Sequence, residues 1–504
     1  MDDNTLQTSE TTELQEQKYV RFGEQMAFNL SAMFRDMSYA IFGQFHIFCI
    51  EILRIPPLNM AWLQLSQRLW DGVNDPLVGA YFDRRPFDRE KARRYFLPTA
   101  FPLAILLVLM FTPLATMFPG LSGAQNLMWL QFGFILLLYL PFDPLHSLNG
   151  TAFMSYYNSI SPNLQERNGI IARSRMFSTF GSAIVGGGIP LFFSWFSEGA
   201  GDTEGRTRVF IILAITVAVA FVVYNVLMHT KVRERIVSPP QEQKQSFRSV
   251  FRSLFSNKLF FILVAANTIQ GIINRGNTDF WLFQYNIGDT AWQTYLGLIA
   301  GLPAMLLATW LMPKLCNYFE KRDIIIGAAI MRIVVRGLYL FIGSRPGMFN
   351  LTGAVAAQNL FSAKAFMGVV FFLNELPNAT RGQLYWSMLA DSVDYQEWKS
   401  NKRNDGTVYT MEGLMGKIVG SIGAMATGVI LNFIGFDQEN MEYQSAATMR
   451  GLFTVPLSIE LVSIAASTAP FFFYNLKRDD HAKMIEELKA RAAAAKAAEI
   501  SATL

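Results

Sequence analysis

Asp71 and Asp75 sit four residues apart in the run Trp70-Asp71-Gly72-Val73-Asn74-Asp75-Pro76, inside an otherwise apolar stretch. On a helix that spacing puts both carboxylates on one face, with Cβ atoms about 5–6 Å apart. Like charges so placed repel, and desolvation penalises each, so one must be protonated or a cation must lie between them. Asn74 adds a carbonyl oxygen, and hard cations prefer oxygen ligands. Binding of Na⁺ or H⁺ by Asp71, Asn74 and Asp75 is the chemistry to expect, with Asp71 and Asp75 as metal ligands if the ion is Na⁺. The rival reading makes them a helix cap or a loop beyond the edge of the apolar segment.

Other ionisable residues share this apolar setting. Arg35 and Asp36 are adjacent, about 100° apart on a helix, so incomplete mutual neutralisation is expected and Asp36 is left for a cavity or another helix's cation. A structural ion pair between helices is the competing role. Arg173 and Arg175 open a later apolar block, Lys417 lies within another, and Arg275 and Asp279 have the spacing of an i,i+4 pair. Arg332 and Arg336 are expected to lock helices or snorkel. Glu375, Arg381, Gln383 and Trp386 cluster further on. Arginine grips carboxylates or sugar diols through two parallel donors, and tryptophan offers a face on which a sugar ring stacks.

The segments that must position these groups are apolar and long. Of 504 residues, 51% are hydrophobic, 14% aromatic and 16% charged, against about 25% charged in soluble domains. That excludes a disordered chain, a nucleic-acid-binding arm and an ordinary cytosolic enzyme. Cys49 and Cys316 cannot build a disulfide framework, and no Cys/His cluster has metal-site spacing. Twelve apolar blocks follow one another, from 25–53 and 59–82 to 405–434 and 448–475. Each is long enough for the roughly 20 helical residues that cross a bilayer. The block at 350–390 is too long for one crossing and is read as a single helix with an irregular lead-in. Ionisable residues inside such spans are costly and by default mark an ion or substrate path. The expected class is an all-α, multi-pass membrane protein embedded in a lipid bilayer.

Loop charges set the orientation. Arg84, Arg85, Arg89, Lys91, Arg93 and Arg94 crowd the loop after the second span, and the loop between spans six and seven is also basic, whereas 113–126 and 435–447 hold no Lys or Arg. Basic loops face the cytoplasm, which puts both termini inside. The expected division is a cytoplasmic tail at 1–24, a six-helix half at 25–229, a cytoplasmic loop at 230–257, a second half at 258–476 and a tail at 477–504. The first tail is acid-rich and lacks the pattern of a cleavable signal. Tyr81-Phe82-Asp83-Arg84-Arg85 is echoed by Tyr318-Phe319-Glu320-Lys321-Arg322, consistent with duplication. Two six-helix halves are a secondary-transporter layout.

At these residues the sequence resembles the glycoside–pentoside–hexuronide:cation symporters, the melibiose permease family within the major facilitator superfamily. One motif is Trp70-Asp71-x-x-Asn74-Asp75-Pro76 with its basic loop. The second is Met388-Leu389-Ala390-Asp391-Ser392-Val393-Asp394-Tyr395-Gln396-Glu397-Trp398-Lys399, followed by Tyr409 and Lys417, and the match spans about 25–490. The resemblance implies a major facilitator fold of twelve helices and a Na⁺, Li⁺ or H⁺ site at Asp71, Asn74 and Asp75. It implies sugar-binding roles for Asp36 and Arg175, and charge balance at the site for Lys417. The family's span-four aspartate falls here on Asn149 or Gly150, which puts Asn149 among both cation and substrate ligands. Asp143, about two turns away, is expected to be too distant to replace it. The aromatic stacking position becomes Met154, and Trp386 is a further candidate substrate contact.

The resulting expectation is cation-coupled symport of a sugar, glycoside or sugar acid by alternating access. The chain would act as a monomer in the cell inner (plasma) membrane, without an enzymatic activity, a cofactor or a nucleic-acid partner. Arg84, Arg85, Asp391 and Asp394, at cytoplasmic helix ends, are expected to gate. Arg175, Arg275, Arg381 and Lys417, with one family carboxylate missing, favour an anionic sugar; pairing of Arg275 with Asp279 and Arg381 with Glu375 would remove that excess. A lysolipid cargo on the same fold and a non-transporting sensor are the alternatives.

Overall fold

The computed structural model describes residues 18–84, 91–121, 126–198, 202–235, 257–400 and 405–503. Among them the regular structure is helical, without strands. The first six long helices are α1 (Phe22–Gly43), α2 (Pro57–Arg84), α3 (Arg93–Met110), α4 (Leu127–Ser159), α5 (Leu164–Gly186, resumed at Gly188–Phe196) and α6 (Thr203–Lys231). Six more follow: α7 (Lys258–Ile272), α8 (Leu302–Tyr318), α9 (Lys321–Gly343), α10 (Leu360–Ser400), α11 (Asp405–Phe433) and α12 (Ala446–Thr468). A polar helix, α13 (Arg478–Thr503), ends the chain. Eight helical stretches among the described residues are long and apolar enough to cross a membrane; α1, α2, α7 and α11 fall outside that group. Of these four, α1 and α2 hold Arg35, Asp36, Asp71 and Asp75, and α7 is cut short by a break. The 350–390 block is α10, entered through a loop and the short 3₁₀ turn Ala357–Asn359, so the irregular lead-in stands and the polar middle stays helical.

The chain forms two compact units, 1–242 with 437–442, and 243–436 with 443–504. Within the first, α1 packs on α5 and α6, α3 on α6 and α4, and α2 on α4. The second repeats this scheme with every index raised by six: α7 packs on α11 and α12, α9 on α12 and α10, and α8 on α10. The echoed pentapeptides fall at corresponding places, at the ends of α2 and α8. A duplicated six-helix unit accounts for both facts.

Glycine permits the tightest contacts. A Cβ on Gly181 of α5 would run into the Met33 carbonyl of α1, so this crossing requires the bare backbone. In the second unit α7 breaks at 273–278 and resumes at Asp279. Gly276 there has φ +64°, and a Cβ would lie 2.6 Å from the Thr427 nitrogen. The unwound backbone is partly satisfied by α11, since Asn277 N–H donates to Thr427 Oγ1 at 2.8 Å. Broken helices persist in membranes only where protein or a wet cavity satisfies the freed groups.

Aromatic packing fills the first unit. Phe28 stacks on Phe153 with centroids 5.1 Å apart, and Phe48 meets Phe111 and Phe210 at 5.3 and 5.2 Å. Each such pair adds about 0.5–1.5 kcal/mol beyond simple burial. Asp202 caps α6: the Gly205 and Glu198 backbone N–H groups hold its carboxyl below the usual range. Residues 232–235 fold back on the same unit. The Glu234 carboxylate accepts from Ala92 N–H at 2.8 Å, and Arg235 grips both oxygens of Glu24.

Candidate functional site

In the first unit, α2 and α4 face each other with matched polar ladders. Asp71, Asn74 and Asp75 lie well inside α2, so neither a helix cap nor a loop describes them. Opposite stand Tyr139, Asp143 and Ser147, spaced by four along α4. Asp71 accepts from the Tyr139 hydroxyl at 2.7 Å and from Arg68 Nη1 at 3.3 Å. Asn74 Nδ2 donates to Asp143 Oδ2 at 2.8 Å, and the Ser147 hydroxyl donates to Asp75 Oδ1. Asp143 therefore belongs to the cluster, against the expectation that it lies too far away. Three carboxylates are brought together, and the cation beside them, Arg68, is half exposed. Among the described residues no three Asp, Glu, His or Cys side chains form a ready metal cage. The ladder is an acidic wall that suits a proton or a loosely held monovalent cation.

Asn149 is placed elsewhere. It is buried between α3, α4 and α6, donating to Thr99 Oγ1 at 2.7 Å and Asn225 Oδ1 at 2.6 Å and accepting from the Tyr224 hydroxyl at 2.8 Å. Both amide hydrogens and the carbonyl are engaged in a helix-locking network, so the structure does not bring Asn149 to the ladder of Asp71, Asn74 and Asp75. The sequence shows a polar residue in a span but not which neighbours satisfy it.

Arg35 and Asp36 correct a second expectation. Arg35 bends back so that Nε and Nη2 both donate to Asp36 Oδ1, at 2.8 and 2.6 Å, while its guanidinium lies 4.2 Å from the Phe153 ring centroid. A long side chain bridges the 100° between adjacent positions. Asp36 stays partly exposed, and Arg175 is exposed on α5, 5.5 Å above the Tyr157 ring. Among the described residues Arg175 makes no ion pair.

The second unit is rich in arginine. Arg275 grips both oxygens of Asp279, the pairing expected from the sequence. Arg332 and Arg336 of α9 both bond Glu460 Oε1 of α12, at 3.1 and 3.2 Å, and Arg275 Nε lies 3.4 Å from Oε2. Helix locking is thus their role, and Glu460, not singled out from the sequence, is the hub. Its signal was one carboxylate in an apolar block. Arg381 bonds Gln270 rather than Glu375, which takes Asn374 and Asn378 instead. Glu412 of α11, also missed, accepts from Asn267 and Tyr385 at 3.3 and 3.2 Å. Trp386 is 55% exposed beside Tyr385. Lys417 is on α11, but its side chain lies outside the described residues, as do that of Arg84 and all of Arg85. Asp391 and Asp394 bind within this unit: Lys321 reaches Asp391 at 2.6 Å, and His481 of α13 lies 3.8 and 3.4 Å from the two.

A family model described as "MFS/sugar transport protein" matches residues 26–478. The chain belongs to this family. As a member of the MFS/sugar transport family it is a multi-pass membrane transporter of the all-α major facilitator fold. The isoprimeverose transporter of Lactiplantibacillus pentosus is 24% identical over 93% of this chain and 92% of its own. The lactose permease of Lactobacillus delbrueckii subsp. bulgaricus is 21% identical over 84% of this chain and 64% of its own. Among solved structures, the inward-open xylose transporter XylE from E. coli covers 88% of this chain and 94% of its own, with TM-score 0.52 at 11% identity. The nucleoside transporter NupG covers 89% and 99%, with TM-score 0.54 at 13% identity. At these identities the structures speak for the fold alone.

Proposed function

We propose that this transporter drives uptake of a sugar or sugar acid with a cation held at the acidic wall of α2 and α4. The observation that carries the reading is the convergence of Asp71, Asp75 and Asp143, bridged by Asn74, Tyr139 and Ser147. A cation or proton relieves the repulsion among three carboxylates, and relief of that repulsion is the free energy that couples ion binding to a change of state. In the first unit Asp36 and Arg175 are the sugar-binding candidates, Asp36 accepting from hydroxyls and Arg175 gripping diols or a carboxylate; in the second unit the candidates are Trp386 and Lys417. The relatives named for isoprimeverose and lactose support a glycoside cargo. Arg175, exposed and without an ion pair among the described residues, favours an anionic sugar. Asp391, Asp394, Arg84 and Arg85 gate at the cytoplasmic side. Basic loops support cytoplasmic termini, and the protein is read as a monomer of the inner membrane.

The test is uptake into proteoliposomes with Na⁺ and pH gradients imposed separately, on the wild type and on Asp143→Asn. Accumulation driven by one gradient, and lost in the variant while downhill exchange persists, supports the reading. Equal accumulation with neither gradient overturns the coupling.

A further inference from the structure

Inside the second unit, away from the acidic wall, a cavity of about 40 Å³ opens between α7's continuation, α9, α10 and α12. Arg275, Asp279, Arg336 and Tyr339 line it, and the remaining lining is apolar. One water needs about 10–15 Å³ measured this way, so the space takes a bare halide or a few waters and excludes a sugar. Three guanidinium groups, those of Arg275, Arg332 and Arg336, share the direct ion pairs of two carboxylates, Asp279 and Glu460. Glu375 lies within electrostatic reach of Arg275 and Arg332, whereas the ion pair of Arg336 among the described residues is with Glu460.

The donors that face the cavity are also open. Arg336 is 6% exposed, yet its one polar contact among the described residues is Nε to Glu460, leaving Nη1 and Nη2 to the cavity it lines. Tyr339 is 5% exposed, with ring contacts to Phe366 and Phe453 and no hydrogen bond from its hydroxyl. Asp279, the anion on the wall, has both oxygens taken by Arg275. A buried charge persists only when paired, and buried donors need acceptors.

We infer that this cavity binds a single small monovalent anion, a halide such as chloride, held by Arg336 and the Tyr339 hydroxyl. The anion pairs with the Arg336 guanidinium, which shares Glu460 with Arg332, and fastens α9 to α12 and to the resumed part of α7.

The experiment follows the thermal midpoint of the purified full-length protein at constant ionic strength as gluconate is replaced by chloride or bromide. A saturable rise of a few degrees is expected, as for any ligand that binds only the folded state. Tyr339→Phe keeps the ring and the charges, and it should raise the half-saturating halide concentration about tenfold, the loss of one charge-assisted hydrogen bond. Arg336→Gln should abolish the response. If Arg336→Gln does not fold, Tyr339→Phe and diffraction from bromide-soaked crystals decide, with one anomalous peak expected beside Arg336. Asp75→Asn should keep the halide response whole, which separates this site from the coupling ion. Identical midpoints in chloride and gluconate, or a soaked crystal with no peak at Arg336, would overturn the inference.

Discussion

One packing junction occurs twice in this transporter, and its two copies are held by different chemistry. Where α3, α4 and α6 meet, Thr99, Asn149, Tyr224 and Asn225 satisfy one another with neutral hydrogen bonds. Where α9, α10 and α12 meet, Arg332, Arg336, Asn374 and Glu460 hold the corresponding place with ions. A net neutral hydrogen bond stabilises by about 0.5–1.5 kcal/mol. A buried ionic network gains little over an apolar replacement, and breaking one partner costs about 3–5 kcal/mol. The two units share the helix arrangement and differ in the polar groups packed inside it. The charges separate too: carboxylates gather on α2 and α4 of the first unit, guanidinium groups on α9 and the break after α7 of the second.

The strongest break to that comparison is Glu460→Gln. It removes the carboxylate that Arg275, Arg332 and Arg336 share, and thermal unfolding in detergent should show a loss of about 3–5 kcal/mol. A loss under 1 kcal/mol would mean the arginines are solvated and the ionic junction is not closed.

Asp75→Asn and Asp71→Asn probe the acidic wall. Each removes a charged partner worth roughly 3 kcal/mol, about a hundredfold in ion affinity. Gradient-driven accumulation should vanish while the protein stays folded in the membrane; near-normal uphill uptake in either variant would remove that residue from the coupling site.

Asn149→Leu sharpens the contrast between junctions. It leaves Thr99, Tyr224 and Asn225 without their shared partner, so stability should fall by about 1–3 kcal/mol, less than for Glu460→Gln. Ion dependence of transport should be unchanged, because Asn149 serves packing. A shifted Na⁺ or proton dependence would return it to the ion site.

The smallest effect concerns cargo charge. A glucuronide should inhibit uptake several-fold better than the matching neutral glucoside, and Arg175→Gln should narrow the gap, each by less than the tenfold that about 1.4 kcal/mol provides. Equal inhibition by both sugars in the wild type would show that Arg175 recognises hydroxyls.

Much of this protein follows from its sequence alone. Apolar blocks of bilayer length, basic loops and the Asp71–Asp75 spacing establish a multi-pass protein with an acidic site, because membrane thickness and helical periodicity act through local sequence. The pair Arg275–Asp279 was legible from its closeness in sequence, although Arg275 lies in the break after α7 and not on a helix. Which distant residues meet was not. Asp143 joins Asn74, Asn149 withdraws into a closed amide network, and Glu460 collects three arginines, because helix rotation and crossing decide which faces oppose. Those rotations depend on contacts such as Gly181 against Met33 and Gly276 against Thr427. Spacing along one helix is a property of the chain; pairing across helices is a property of the packed bundle.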